Sequence, residues 1–223
     1  MANPVLTAAL LATAFAAGIT GAWSPCGLSM VDTLAPHGYA RRLRTSLAAC
    51  ATFAIGALAG GAITFGGLAL AGAALGAGGT AAAGAAAVAA VAAAAADARG
   101  MPIAPQIRRQ VPEAWRRVRP VPVAAAGYGV LLGLGFTTFV LSFAVWALAG
   151  ASIALGEPAL GLAIGLAFGA GRALPVICLA PFAGTEHGGA ITAAMCERPA
   201  ILLGLRRLDA IALAACAIAL GTA

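Results

Sequence analysis

The chain has no lysine, no Cys-x-x-Cys pair and few charges of any kind: charged residues make up 9% of its 223 positions, against 62% apolar. So little charge cannot cover the surface of a soluble domain. The apolar runs are continuous rather than alternating, which argues against a transmembrane β-barrel. No Cys/His spacing matches a zinc site, so no metal is expected, and no cofactor motif is present. Cys26, Cys50, Cys178, Cys196 and Cys216 form no paired framework by count or spacing. What remains is an all-α, polytopic membrane protein in a single domain over 1–223. All thirteen basic residues are arginine, and the net charge of +6 is read as a topology signal rather than a nucleic-acid footprint.

Six transmembrane helices are expected, each needing roughly 20 apolar residues. The first runs from Val5 to Leu34, interrupted near Pro25. Met1 to Ala22 lack the basic start of a secretory signal, so they are read as a retained span. Thr45 to Ala96 carry no charge and hold two spans, with a turn in the glycine-rich stretch Gly72 to Thr80. A basic loop, 97–122, follows; a short amphipathic helix at Glu113 to Val118 is expected there, with Trp115 on the membrane interface. The fourth span is Val123 to Ala149 and the fifth Pro158 to Phe182. Gly184 to Pro199 read as a loop, and the sixth span is Ile201 to Leu220, its start marked by Arg206, Arg207 and Asp209. Arginines crowd the loops after spans one, three and five, which places those loops in the cytoplasm and both termini outside. Gly18 to Cys26 and Gly133 to Phe139 share a pattern of glycines ahead of an aromatic and a hydroxyl residue. Three spans per half would make this an inverted repeat.

The chemistry centres on Trp23-Ser24-Pro25-Cys26-Gly27. Pro25 breaks a helix within an apolar run, which sets Cys26 near the start of a half-helix, where the dipole favours a thiolate. The other reading of Cys26 is a small packed residue. Arg172 lies mid-span, where a charge costs at least about 2.5–3.5 kcal/mol. It is expected to face inward, as a counter-charge for Cys26 or an anion site, or else to pair with Asp32, Glu157 or a carbonyl freed by Pro175. Cys178, three residues past Pro175, is the candidate second thiol. Asp32 and His37 are candidate proton relays or solvated interfacial residues. Thr137 and Thr138 either bond back to their own helix or line a polar cavity opposite Cys26. Cys50 and Cys216 read as packing, and Cys196, near Glu186 and His187, matches no ligand pattern.

Ser24-Pro25-Cys26 after a glycine-rich helix resembles the CcdA/DsbD transmembrane family. Phe53-Ala54-Ile55-Gly56 is similar to that family's Phe-x-x-Gly second helix, and Gly171-Arg172-Ala173-Leu174-Pro175 to its Gly-x-x-x-Pro pattern. The resemblance implies a relay of reducing equivalents across the bacterial inner membrane, serving cytochrome c maturation or extracytoplasmic thiol reduction. It implies a thioredoxin-like partner on the cytoplasmic side and a thiol acceptor outside, beside the lipid bilayer itself. The family's second cysteine, in helix four, is replaced here by Phe139, and its proline by Thr138. That departure keeps a second reading open, a small-solute or metal-ion transporter of the same inverted-repeat architecture, and a third, an accessory subunit without turnover.

Overall fold

The computed structural model describes residues 3–38, 40–103, 111–112 and 114–222. Arg108 and Arg109 of the basic loop, Glu113 and the Cys196 side chain lie outside the described residues. Eleven α-helices and no strand occur among the described residues. Helices α1 (Pro4–Ala22) and α2 (Pro25–Leu34) meet at a two-residue break. Helices α3 (Leu43–Gly61) and α4 (Gly67–Ala74) run on as one rod through a π-helical turn, Ala62–Gly66. The remaining helices are α5 (Thr80–Ala98), α6 (Trp115–Val118), α7 (Val121–Gly133), α8 (Ala144–Leu155), α9 (Pro158–Leu179), α10 (Glu186–Glu197) and α11 (Pro199–Gly221).

Four helical stretches are long and apolar enough to cross a bilayer: Pro4–Ala22, Leu43–Ala74, Thr80–Ala98 and Pro158–Phe182. This is a membrane protein with transmembrane helices. The expected sixth span forms α11, which is long enough but carries Arg206, Arg207 and Asp209 within its apolar run. The expected unbroken fourth span is instead two short helices, α7 and α8, separated by residues 134–143. No proline makes that break. Gly135 adopts φ +75°, a conformation only glycine takes without strain, and Thr137 Oγ1 turns back to the Leu131 carbonyl at 2.6 Å. The stretch read as a loop after span five forms α10, whose N-terminus is capped by Thr185 through Gly188 N–H at 3.1 Å. No described side chain of α10 is buried, so this helix lies on the outside of the bundle.

Packing follows a reciprocal pattern. The opening helix of the chain, α1, lies along α9, while α7 lies along α3. Helices α3 and α9 cross each other, α5 packs along α11, α11 along α1, and α8 along α5. Lipid gives helices no hydrophobic reason to associate, so close backbone approach has to supply the contact energy. Glycine permits it. A Cβ on Gly61 would sit 2.1 Å from the Gly165 carbonyl oxygen, and one on Gly165 would sit 2.2 Å from the Gly61 oxygen. Gly18 and Gly171 abut in the same way between α1 and α9.

Backbone cannot yield as a flexible side chain can. Gly165→Ala should therefore cost about 1–3 kcal/mol or more, read as a lowered thermal midpoint of the detergent-purified protein. Gly204→Ala, at a position with open space around it, should leave the midpoint unchanged. Equal midpoints for the two variants would remove the α3–α9 crossing from the account of stability.

Candidate functional site

The first break is built from local chemistry. Ser24 is extended (φ −125°, ψ 158°) and its Oγ accepts from Gly27 N–H at 3.3 Å, capping α2. Pro25 occupies the first turn, where its missing donor costs nothing. Gly27 lets the two helices meet, because a Cβ there would lie 2.0 Å from the Ala22 carbonyl oxygen. Cys26 is thereby held in the first turn of α2, 1% exposed, in an apolar cluster with Met30, Phe53, Tyr128 and Val176.

Arg172 is fully buried on α9. Its Nη1 donates to the Gly21 carbonyl, and its Nη2 lies 3.5 Å from the Phe139 carbonyl. The guanidinium sits 5.4 Å from the centre of the Phe168 ring. Gly21 provides the room, since a Cβ there would be 2.5 Å from Arg172 Cζ. The expected partners were Asp32, Glu157 or a carbonyl freed by Pro175; the observed ones are carbonyls at the two chain breaks. Among the described residues, Arg172 Nε has no hydrogen-bond partner. Arg172 is also close enough to Cys26 to act on it electrostatically, and the Val111 backbone N–H bonds to the Cys26 sulfur.

A cavity of about 220 Å³ adjoins the sulfur, lined by Pro25, Cys26, Ser29, Met30, Val111, Arg116 and Tyr128. Its far wall comes from the basic loop, so the end of that loop is not simply solvated. Trp115 stacks on buried Tyr128 at 5.7 Å. Tyr128 Oη donates to the Pro112 carbonyl at 2.8 Å and accepts from Arg116 N–H at 3.1 Å. These contacts fold residues 111–112 and 114–118 back over α7 and onto the cysteine.

The structure thus brings together Cys26, Pro25, Arg172 and Phe139, the residue standing where the resemblance puts a second cysteine. It does not bring Cys178 to them. Cys178 is exposed, with Leu174, on the outward side of α9, whereas Arg172, Ala173 and Val176 face inward. The helical phase decides this: lying near Pro175 in sequence does not turn a side chain toward Cys26. Asp32 and His37 are both exposed. Cys50 is half-buried, and Cys216 is buried 3.1 Å from Thr13 Oγ1. Among the described residues, no three metal-ligating side chains converge. Sequence reasoning missed Arg116, Tyr128 and Val111 as site residues. The two aromatics of the loop and α7, Trp115 and Tyr128, were the signal available, thirteen residues apart in a chain poor in aromatics.

A positive charge beneath a small cavity selects the reagents that reach the sulfur. A small anionic methanethiosulfonate should modify Cys26 about tenfold faster than its cationic analogue, read by mass spectrometry of the Cys26 peptide. Arg172→Met should reduce that preference. A cationic reagent reacting as fast in the unaltered protein would show that Arg172 does not govern the cavity.

No family model matches the chain, and no solved structure matches it. The chain is similar to the methylamine utilization protein MauF of Paracoccus denitrificans, at 36% identity over 178 residues, covering 77% of this chain and 63% of that protein. It is likewise similar to the methylamine utilization protein MauF of Paracoccus versutus, at 33% identity over 168 residues, covering 73% of this chain and 61% of that protein. The chain spans less than two thirds of the length of these curated relatives.

Proposed function

We propose that this chain is a multi-pass inner-membrane protein of methylamine utilization in which Cys26 exchanges disulfides with a thioredoxin-like partner. The observation that carries this reading is the position of Cys26 at a helix start, beside a cavity and within the field of Arg172. The similarity to MauF supports the physiological setting. The resemblance to the CcdA/DsbD family supports the chemistry and the architecture: six spans, with α1–α2, α3–α4 and α5 in one half and α7–α8, α9 and α11 in the other. The reciprocal packing of α1 on α9 and α7 on α3, and the helix break that opens each half, support an inverted repeat. The cavity is walled in part by the arginine-rich loop, which by the positive-inside rule supports an opening on the cytoplasmic side with both termini outside.

The exchange has to be intermolecular, since Phe139 stands in for the second thiol. The Cys26 thiolate attacks one sulfur of a partner's disulfide. A Cys26–partner S–S bond forms, the partner's S–S bond breaks, and its other cysteine leaves as a thiolate. A thiolate of a dithiol donor then attacks the partner's sulfur in the mixed disulfide and releases Cys26. The donor's second thiolate attacks the donor's own sulfur in the resulting donor–partner disulfide, which closes the donor's disulfide and frees the partner's second thiolate. The donor of those thiols is oxidised by two electrons, the partner is reduced by two, and Cys26 ends unchanged. Delivery to an extracytoplasmic acceptor would require that acceptor to reach the same sulfur.

One observation favours a second reading. Arg172 is a buried cation whose close partners are carbonyls and whose Nε is unpartnered, beside two broken helices, as an anion-translocating bundle would need.

The two readings separate by trapping and by growth. A thioredoxin lacking its resolving cysteine, with its remaining cysteine activated as the mixed disulfide with thionitrobenzoate, should form a disulfide-linked adduct with the unaltered protein and release thionitrobenzoate. Cys26→Ser should abolish the adduct, while Cys50→Ser, Cys178→Ser and Cys216→Ser should retain it. Growth of the native host on methylamine should fail with Cys26→Ser. No adduct together with normal growth of Cys26→Ser ends the exchange reading. Growth lost in Arg172→Met but kept in Cys26→Ser favours transport.

A further inference from the structure

A second polar cluster lies on the other side of α1, and the thiol chemistry does not use it. Asp97 on α5 and Asp209 on α11 are both 0% exposed, with Thr20, Ser142 and Arg206 buried around them. Asp97 is fully engaged. Its Oδ1 accepts from Arg206 Nε at 2.9 Å, and its Oδ2 accepts from Ser142 Oγ at 2.8 Å and from Ala144 N–H, at the start of α8, at 3.3 Å. Arg206 is engaged as well, donating from Nη2 to the Met101 carbonyl at 2.7 Å.

Asp209 is different. Among the described residues, neither of its carboxyl oxygens meets a donor in hydrogen-bond geometry. Thr20 and Ser142 face Asp209, and the charged groups acting on it are Asp97 and Arg206. Two carboxylates thus share one guanidinium, and that guanidinium is bonded to Asp97. An ionised Asp209 would be an uncompensated charge in an apolar bundle, which is expensive enough that such groups neutralise instead. Proton counting agrees. A serine hydroxyl has one proton to give, and Ser142 gives its proton to Asp97 while accepting from Ala144 N–H at 3.1 Å. Ser142 can offer Asp209 only a lone pair, which a carboxyl group can use only if it carries the proton itself; the Thr20 hydroxyl, which also faces Asp209, can donate to it but brings no compensating charge.

We propose that Asp209 binds a proton within the bundle at neutral pH, which makes the Asp97–Asp209–Arg206 cluster a proton site separate from Cys26. The site does not depend on the thiol-exchange reading. Release of the proton leaves two carboxylates to one guanidinium, so it has to be accompanied by entry of water or by movement of α11 against α1.

Infrared spectroscopy of the full-length protein in lipid tests this. At neutral pH the spectrum should contain the C=O stretch of a protonated carboxylic acid. Labelling aspartate with carbon-13 at the carboxyl should shift that band. Asp209→Asn should remove it and Asp32→Asn should not. Exchanging sodium for choline should leave it unchanged. Absence of the band, a band insensitive to the aspartate label, or its persistence in Asp209→Asn overturns the proposal. So does a band present only without sodium, which would make this a metal-cation site. Should Asp209→Asn fail to fold, the isotope shift in the unaltered protein still decides, because Asp32, Asp97 and Asp209 are the only aspartates and the first two are solvated and ion-paired.

Discussion

Breaking a helix inside an apolar bundle leaves carbonyl groups that lipid cannot satisfy, and one guanidinium answers that need at both breaks of this chain. At the end of α1 the Thr20 carbonyl is taken by Trp23 N–H at 3.1 Å, and the Gly21 carbonyl by Arg172. The same side chain reaches the Phe139 carbonyl in the second break. A cation at a helix C-terminus is favourable in its own right, since the dipole leaves negative charge there. The start of α8 shows the opposite sign, with the Asp97 carboxylate accepting from Ala144 N–H. Charges that look costly in an apolar sequence are thus placed where the backbone supplies the complementary charge. The reactive sulfur inherits its position from this arrangement, because the residue that ends α1 sits three positions before the one that begins α2.

Close glycine contacts make that placement rigid. Arg172 could not reach the Gly21 carbonyl if α1 and α9 stood a side chain apart, and Gly18 against Gly171 keeps their backbones together. Gly169 makes the same kind of approach to Ala57, and Gly129 to Phe53, so α9 and α7 both press on α3. Dispersion between backbones, small individually, is what such a bundle has in place of hydrophobic association. The abundance of alanine and glycine is therefore a packing requirement here as much as a bias of composition.

How much of this is legible in the sequence depends on whether the cause is local. Pro25 announces its break, because proline acts on its own backbone, and a lone Arg172 in an apolar run has to face inward. The turn between α4 and α5 falls within the glycine-rich stretch expected for it. The second break is illegible in a window around it. Gly135 and Thr137 contribute, but the carboxylate that caps α8 comes from Asp97, 45 residues from Ser142. Arg206 and Asp209 look like the boundary of a span, yet Arg206 pairs with a residue 109 positions away. Cys178 fails for a geometric reason, since helical phase turns it outward with Leu174. The α10 helix was hidden by polar composition and a weak apolar face, although Thr185 followed by Glu186 is a legible cap.

Phe139 is the residue that decides what the thiol can do. It lies within reach of Arg172 through its carbonyl, and its ring packs against the cluster that holds Cys26. A phenyl ring in that place fills the volume a second thiol would need and forms no bond with sulfur. The site therefore combines a helix break, a buried cation and a small cavity with a single thiol. In the exchange proposed above, electrons arrive and leave on other molecules. The end of α1 also separates two polar centres, since Thr20 faces Asp209 and the next residue, Gly21, holds Arg172. Any displacement of that turn disturbs both at once. A partner that opens the break to reach Cys26 must then alter the surroundings of the buried carboxyl group, and protonation of that group must bias how readily the break opens.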